Sequence, residues 1–198
     1  DFVVRPGQPL TFFVGDVCGK GLPAALLMPM TRAVLRWESN LQPVPTPETI
    51  LQSANRRLLA DLMEAGMFAT AFVGQYNPFT GEMLYASAGH SPVIFYPAGG
   101  QAYLLEADGQ PLGVLAESLS RDHDLHVGAG DVLVVATDGL NEAHNVFGER
   151  FGIERLLQRV QEAGRRPACE ISACLLDEIR EFHAPLPPSD DQTIVVLR

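Results

Sequence analysis

The sequence of 198 residues has the length of one domain, with 46% hydrophobic residues and a formal charge of −10 from 14 basic and 24 acidic side chains. A chain of this size buries roughly 70% of the surface that its unfolded form exposes, so bulk stability needs neither a metal nor disulfides. The acidic balance excludes a nucleic-acid groove, which rests on clustered Lys and Arg, and admits a phosphorylated partner only where bound cations supply positive charge.

The chain opens directly on strand-like Asp1-Phe2-Val3-Val4, so residues 1–198 are expected to form a single domain of a longer protein, truncated at its N-terminus. Residues 10–15, LTFFVG, are too short for a helix and stop at glycine: a buried strand. Gly19-Lys20-Gly21 makes a turn, and Pro23 opens a helix over 24–37 that Pro29 should kink. After a polar, proline-rich link over 39–47, Thr46 caps a second helix whose apolar positions Ile50, Ala54, Leu58 and Leu62 recur every fourth residue. The two helices are expected to be neighbours in one layer.

From Met67 the pattern becomes strand-like. MFATAFVGQY, EMLYASAG, PVIFY and QAYLL are separated by turn chemistry, Asn77-Pro78…Gly81 and Pro97-Ala98-Gly99-Gly100, and read as antiparallel hairpins. DVLVVATD, residues 131–138, is a central strand covered on both faces. Helices follow at about Glu149–Gln161 and after Pro167, the latter carrying Ile171, Leu175, Ile179 and Phe182, and TIVVLR closes the chain as a strand. Cys18, Cys169 and Cys174 form neither an even set nor a metal-ligand spacing and suit a reducing, cytoplasmic setting. The apolar stretches break well short of the roughly 20 residues that span a bilayer, so no membrane contact is expected.

Three acidic sites stand at strand ends: Asp16, Asp138 and the pair Asp190-Asp191. An aspartate beside glycine after a strand is commonly only a turn residue. If the three strands are neighbours, however, their carboxylates converge at one rim, and like charges at short range raise one another's pKa unless cations intervene. Oxygen-only ligation without a nearby His or Cys set suits Mg²⁺ or Mn²⁺ rather than zinc. Gly-Lys-Gly lacks the spacing of a P-loop, which rejects nucleotide binding. His90 shapes the turn after its strand, because no second ligand histidine stands near it, and Asn141 and Glu142 either support Asp138 or simply face solvent.

The ordered string Gly15-Asp16-Val17-Cys18-Gly19-Lys20-Gly21, Met67-Phe68-Ala69-Thr70-Ala71-Phe72, Ala88-Gly89-His90-Ser91-Pro92, Gly109-Gln110-Pro111-Leu112-Gly113, Thr137-Asp138-Gly139…Glu142-Ala143, Arg150-Phe151-Gly152 and Asp190-Asp191-Gln192-Thr193 resembles the SpoIIE/RsbU-type phosphatases. These form the bacterial branch of the PPM metal-dependent serine/threonine phosphatases. The resemblance implies an α+β fold, two stacked antiparallel sheets flanked by helices, with two Mn²⁺ or Mg²⁺ ions at one edge. It implies that Asp16 bridges the ions, that the Val17 carbonyl helps hold one, and that Asp138 and Asp190, with Asp191 as the alternative, hold the other. It implies that a metal-bridging water would attack phosphorus in line, without a phosphoenzyme. Lys20 and Gly19 are expected to meet the phosphoryl group, although an ordinary exposed turn explains them equally well.

Two departures stand out. Asp1 lies too close to Asp16 to match the family's first metal aspartate, which is expected upstream of the chain. Cys18 occupies the place where the wider superfamily carries a histidine that protonates the leaving group, so water is left to donate that proton. The resemblance further implies a phosphorylated STAS-type anti-sigma-factor antagonist as substrate, an upstream sensor or response-regulator domain, and a homodimer surface on the first two helices. The rival reading is a silent pseudophosphatase that binds the phosphoprotein as a scaffold.

Overall fold

The computed structural model describes residues 1–105, 107–117 and 120–198. Their contacts divide the chain into two compact units, Asp1–His90 with Ala107–His126, and Ser91–Glu106 with Val127–Arg198.

The first unit holds strands β1 (Phe2–Val3), β2 (Leu10–Val17), β3 (Ala69–Tyr76) and β4 (Glu82–Ala88), a further strand (His123–His126), and helices α1 (Leu22–Ser39) and α2 (Pro47–Glu64). The five strands make one antiparallel sheet, with β1 and His123–His126 at its edges. Strand alternation sorts its two faces. Phe13, Val73 and Ala86 join Leu35, Ile50, Leu51, Leu58 and Leu62 of the helices in one apolar core. The opposite face carries a run of rings, Phe12 to Phe72 at 6.0 Å, Phe72 to Tyr85 at 5.5 Å and Tyr85 to His123 at 5.2 Å.

Helix α2 has the expected start: the Thr46 hydroxyl accepts from the Thr49 N–H at 3.4 Å, and Pro47 fills the first helical position, where no N–H is needed. Helix α1 begins at Leu22, one residue before the expected opening at Pro23, after Gly21 at φ 80°, and continues through Pro29 to Ser39. The two helices are neighbours, tied by an ion pair from Arg57 to the buried Glu38.

The second unit holds β5 (Val93–Tyr96), β6 (Tyr103–Leu104), β8 (Val132–Ala136), β9 (Ile194–Leu197), α3 (Ile153–Ala163) and α4 (Ala168–His183); the strand His123–His126 is β7. Sheet order is β6-β5-β8-β9, all antiparallel. As its unbroken β-branched run predicts, β8 is central and buried along its whole length. Leu156, Val160, Ile171, Leu175 and Ile179 of the helices pack with Ile94, Val132 and Val134 of this sheet.

Three expectations change. Helix α3 starts at Ile153 rather than near Glu149, because Gly148 and Gly152 take positive φ and residues 144–150 form a small hairpin instead. Strand β7 was not read from HDLH, which has no β-branched residue; it is held by pairing with β4 and by the Tyr85–His123 stack. Finally, β8 and β9 are hydrogen-bonded neighbours, but β2 belongs to the other sheet, so strand pairing does not set Asp16 beside them.

Candidate metal centre

In the second unit, the backbone around Asp138 is clamped to the segment that carries Asp190. Thr137, buried just beyond β8, donates through its hydroxyl to the Asp191 carbonyl at 3.0 Å and accepts from the Thr193 N–H at 2.9 Å. Its own N–H donates to the Thr193 carbonyl at 3.1 Å. Gly139 is glycine for want of space, since a Cβ there would stand 2.3 Å from the Asp191 carbonyl oxygen. The Glu142 N–H closes a turn onto the Asp138 carbonyl at 2.8 Å, and the Glu142 carboxylate pairs with Arg150 at 3.3 Å.

This clamp holds acidic side chains within electrostatic reach of one another. Burial first, then the Glu142 and Asp190 charges, push the Asp138 carboxyl above its ordinary pKa, against the lowering effect of the Gly139 N–H. Of the Asp190-Asp191 pair, Asp190 is the one whose charge acts on Asp138, and its carboxylate accepts the Asp191 N–H at 2.9 Å. Asp191 contributes its carbonyl to the clamp.

In the first unit, Asp16 is the penultimate residue of β2 rather than the residue after it, and its Cα partner across the ladder is Thr70. Val17 pairs with Ala69, and Cys18 extends the pairing by donating its N–H to the Phe68 carbonyl at 2.9 Å while its sulfur accepts the Phe68 N–H at 3.1 Å. The strand is then turned by Gly19 at φ 90° and Gly21 at φ 80°, conformations that an L side chain rarely adopts, with Lys20 exposed between them.

His90 is buried, with Nδ1 2.9 Å from the Thr70 hydroxyl, and its backbone N–H and carbonyl both bond the Ser87 hydroxyl. It therefore shapes the turn after β4, as its isolation from other histidines suggests, and also braces the residue opposite Asp16. Thr70 and Thr137 went unread as supports, although each stands one step from an acidic residue, across a ladder or along the chain.

Among the described residues, no group of three or more His, Cys, Asp or Glu side chains is gathered closely enough to hold a metal ion. Asp138 and Asp190 nonetheless offer carboxylate oxygens alone, and the Asp190 charge raises the pKa of Asp138, an effect that a cation would relieve. Such oxygen-only groups suit a hard divalent cation.

Solved structures place these strands and turns in a known class. The SiaA-PP2C domain of Pseudomonas aeruginosa superposes with a TM-score of 0.84 over 100% of this chain and 79% of its own, at 21% identity. RsbX in complex with magnesium gives 0.70 over 98% and 83%, at 16% identity. The chain thus has the α+β fold of the PP2C-type phosphatase domains. The sequence pattern of Stage II sporulation protein E (SpoIIE) matches residues 6–198, and the chain belongs to that family. Phosphoserine phosphatase RsbU of Bacillus subtilis (strain 168) is 30% identical over 198 residues, 98% of this chain and 57% of RsbU. The chain therefore spans little more than half of that relative. No helix among the described residues is long and apolar enough to cross a membrane.

Proposed function

We propose that this chain is a divalent-metal-dependent protein phosphatase that hydrolyses phosphoserine or phosphothreonine on a signalling protein, with a STAS-type anti-sigma-factor antagonist as substrate. The observation that carries the reading is the backbone clamp, closed by Thr137 and Gly139, that holds the Asp190 segment against the turn of the part-buried Asp138. Family membership and the relative named phosphoserine phosphatase support it.

By the family resemblance, Asp16, the Val17 carbonyl, Asp138 and Asp190 would hold the cations; the charge of Asp190 on Asp138 favours it over Asp191. When bound, Mg²⁺ or Mn²⁺ supplies Lewis-acid charge for the phosphoryl oxygens and acidifies a nucleophilic water. Lys20 and Gly19, on the turn after β2, orient the phosphoryl group. The Cys18 sulfur already accepts a backbone N–H, and water brings the leaving-group proton. The chain works as one phosphatase domain of a longer protein, in the cytoplasm, under an upstream sensor or response-regulator domain and with its first two helices as a homodimer surface.

The test is phosphate release from phosphoserine, phosphothreonine and phosphotyrosine peptides in Mn²⁺. The reading expects turnover of the first two. Tight binding of a phosphoserine protein without turnover of any peptide favours the scaffold instead.

A further inference from the structure

Residues 144–150 leave the Asp138 turn and return to it as a small hairpin, with His144 and Arg150 facing each other across an antiparallel bridge. Its turn is built to be stiff. The Asn145 carboxamide oxygen accepts from the N–H groups of Phe147 and Glu149, each at 3.0 Å, while its amide donates to the Glu149 carboxylate at 2.8 Å. Asn145 and Glu149 also share a backbone bond at 3.0 Å, and Gly148 makes the reversal at φ 77°. At the stem, Arg150 pairs with Glu142, and the Phe151 N–H donates to the Ala143 carbonyl at 2.8 Å.

All of this order holds two apolar side chains out in water: Val146 is 52% exposed and Phe147 85%. Folding gains nothing from that exposure.

We propose that Val146 and Phe147 are a docking contact for the folded protein that carries the phosphoserine. The inference rests on the phosphatase reading and names how that same site selects its substrate. Position is the first argument. The stem runs through Arg150 to Glu142, whose charge acts on Asp138, and the tip is three residues from the stem, at most about 10 Å of extended chain. A folded domain with its phosphoserine at Asp138 is broad enough to reach the tip, whereas a small phosphate ester is not. Charge is the second argument. A chain of net charge −10 does not attract a phosphoryl group at long range, which leaves room for short-range apolar contact to contribute to recognition. A preformed aromatic knob provides that contact at little ordering cost. Phe79, 95% exposed on the β3–β4 turn, serves as a control, because it follows the end of β3 remote from Thr70 and Asp16.

The experiment compares kcat/KM for a phosphoserine-bearing STAS-domain protein with kcat/KM for p-nitrophenyl phosphate, in the wild type, Phe147→Ala and Phe79→Ala. Phe147→Ala is expected to lower the protein-to-ester ratio at least tenfold, through KM, with the ratio for Phe79→Ala as in the wild type. Equal loss on both substrates, or an unchanged ratio, overturns the proposal. If the wild type turns over neither substrate, the phosphatase reading has failed separately, and calorimetric titration with the same phosphoprotein decides. At least tenfold weaker binding by Phe147→Ala keeps the docking contact, and equal binding removes it.

Discussion

The clamp between Gly139 and Asp191 can be broken by one methyl group. In Gly139→Ala the new Cβ lies 2.3 Å from the Asp191 carbonyl oxygen and 3.1 Å from its carbon, both backbone atoms that cannot rotate away. Ordinary carbon–oxygen contact is about 3.3 Å, so the segment carrying Asp190 must retreat by about 1 Å. That shift strains the 3.0 Å bond from Thr137 to Asp191 and the 2.9 Å bond from Thr193 to Thr137. Overpacking of this kind costs about 1–3 kcal/mol, read as a lower urea midpoint with unchanged slope. Because a 1 Å misplacement at a reacting centre costs about 100-fold, phosphate release should fall by about that factor, far more than the stability loss explains. A variant with wild-type midpoint and wild-type turnover would refute the idea that close approach of these two backbones sets the site.

Other perturbations separate the site from the scaffold. Asp138→Asn should abolish Mn²⁺-dependent turnover while the metal-free melting temperature does not fall, since it removes a carboxylate whose charged form is disfavoured by burial and by the nearby Glu142 and Asp190 charges; a calorimetric scan beside the activity assay checks both. Arg57→Ala should cost about 1–3 kcal/mol in urea unfolding, because it leaves the buried Glu38 unsatisfied, less than for a fully buried pair since Arg57 is itself largely exposed. Glu162 is held below its ordinary 4.5 by the hydrogen bond from Arg159, then by that from Gln158. Its folded pKa is therefore depressed, so its contribution to stability is present above 4.5 and lost as pH falls through the folded value. An NMR carboxyl titration should place the Glu162 midpoint below 4.5, and Arg159→Gln should bring it back up.

Much of this architecture was legible because local chemistry and tertiary packing agree. Thr46-Pro47 with Ile50, Ala54, Leu58 and Leu62 carries cap, first turn and buried stripe in one stretch, and α2 forms there. The β-branched run in DVLVVATD similarly gives a strand buried on both faces. Strand β7 was not legible, because its hold comes from a partner strand and a Tyr85 ring contributed from elsewhere in the chain. Helix α3 starts later than expected because Gly148 and the Asn145 side chain commit the residues around Glu149 to a turn. Adjacency of β8 and β9 followed the reasoning from strand character, but β2 lies in the other sheet, a choice that apolar composition cannot make. The acidic residues themselves stood out in the sequence. What remained hidden was the threonine and glycine scaffold behind them, since Thr137, Thr70 and Gly139 act through spatial neighbours.

The central claim is that these carboxylates hold the cations of a phosphoserine phosphatase. The most direct measurement is phosphate release from a phosphoserine-bearing STAS-domain protein as Mn²⁺ is titrated into chelator-treated chain, with Asp16→Asn and Asp138→Asn run alongside. The account predicts no release without metal, a saturable rise on adding Mn²⁺, and loss of that rise in both variants. Release that persists in chelator, or a metal response unaltered by either substitution, would contradict it.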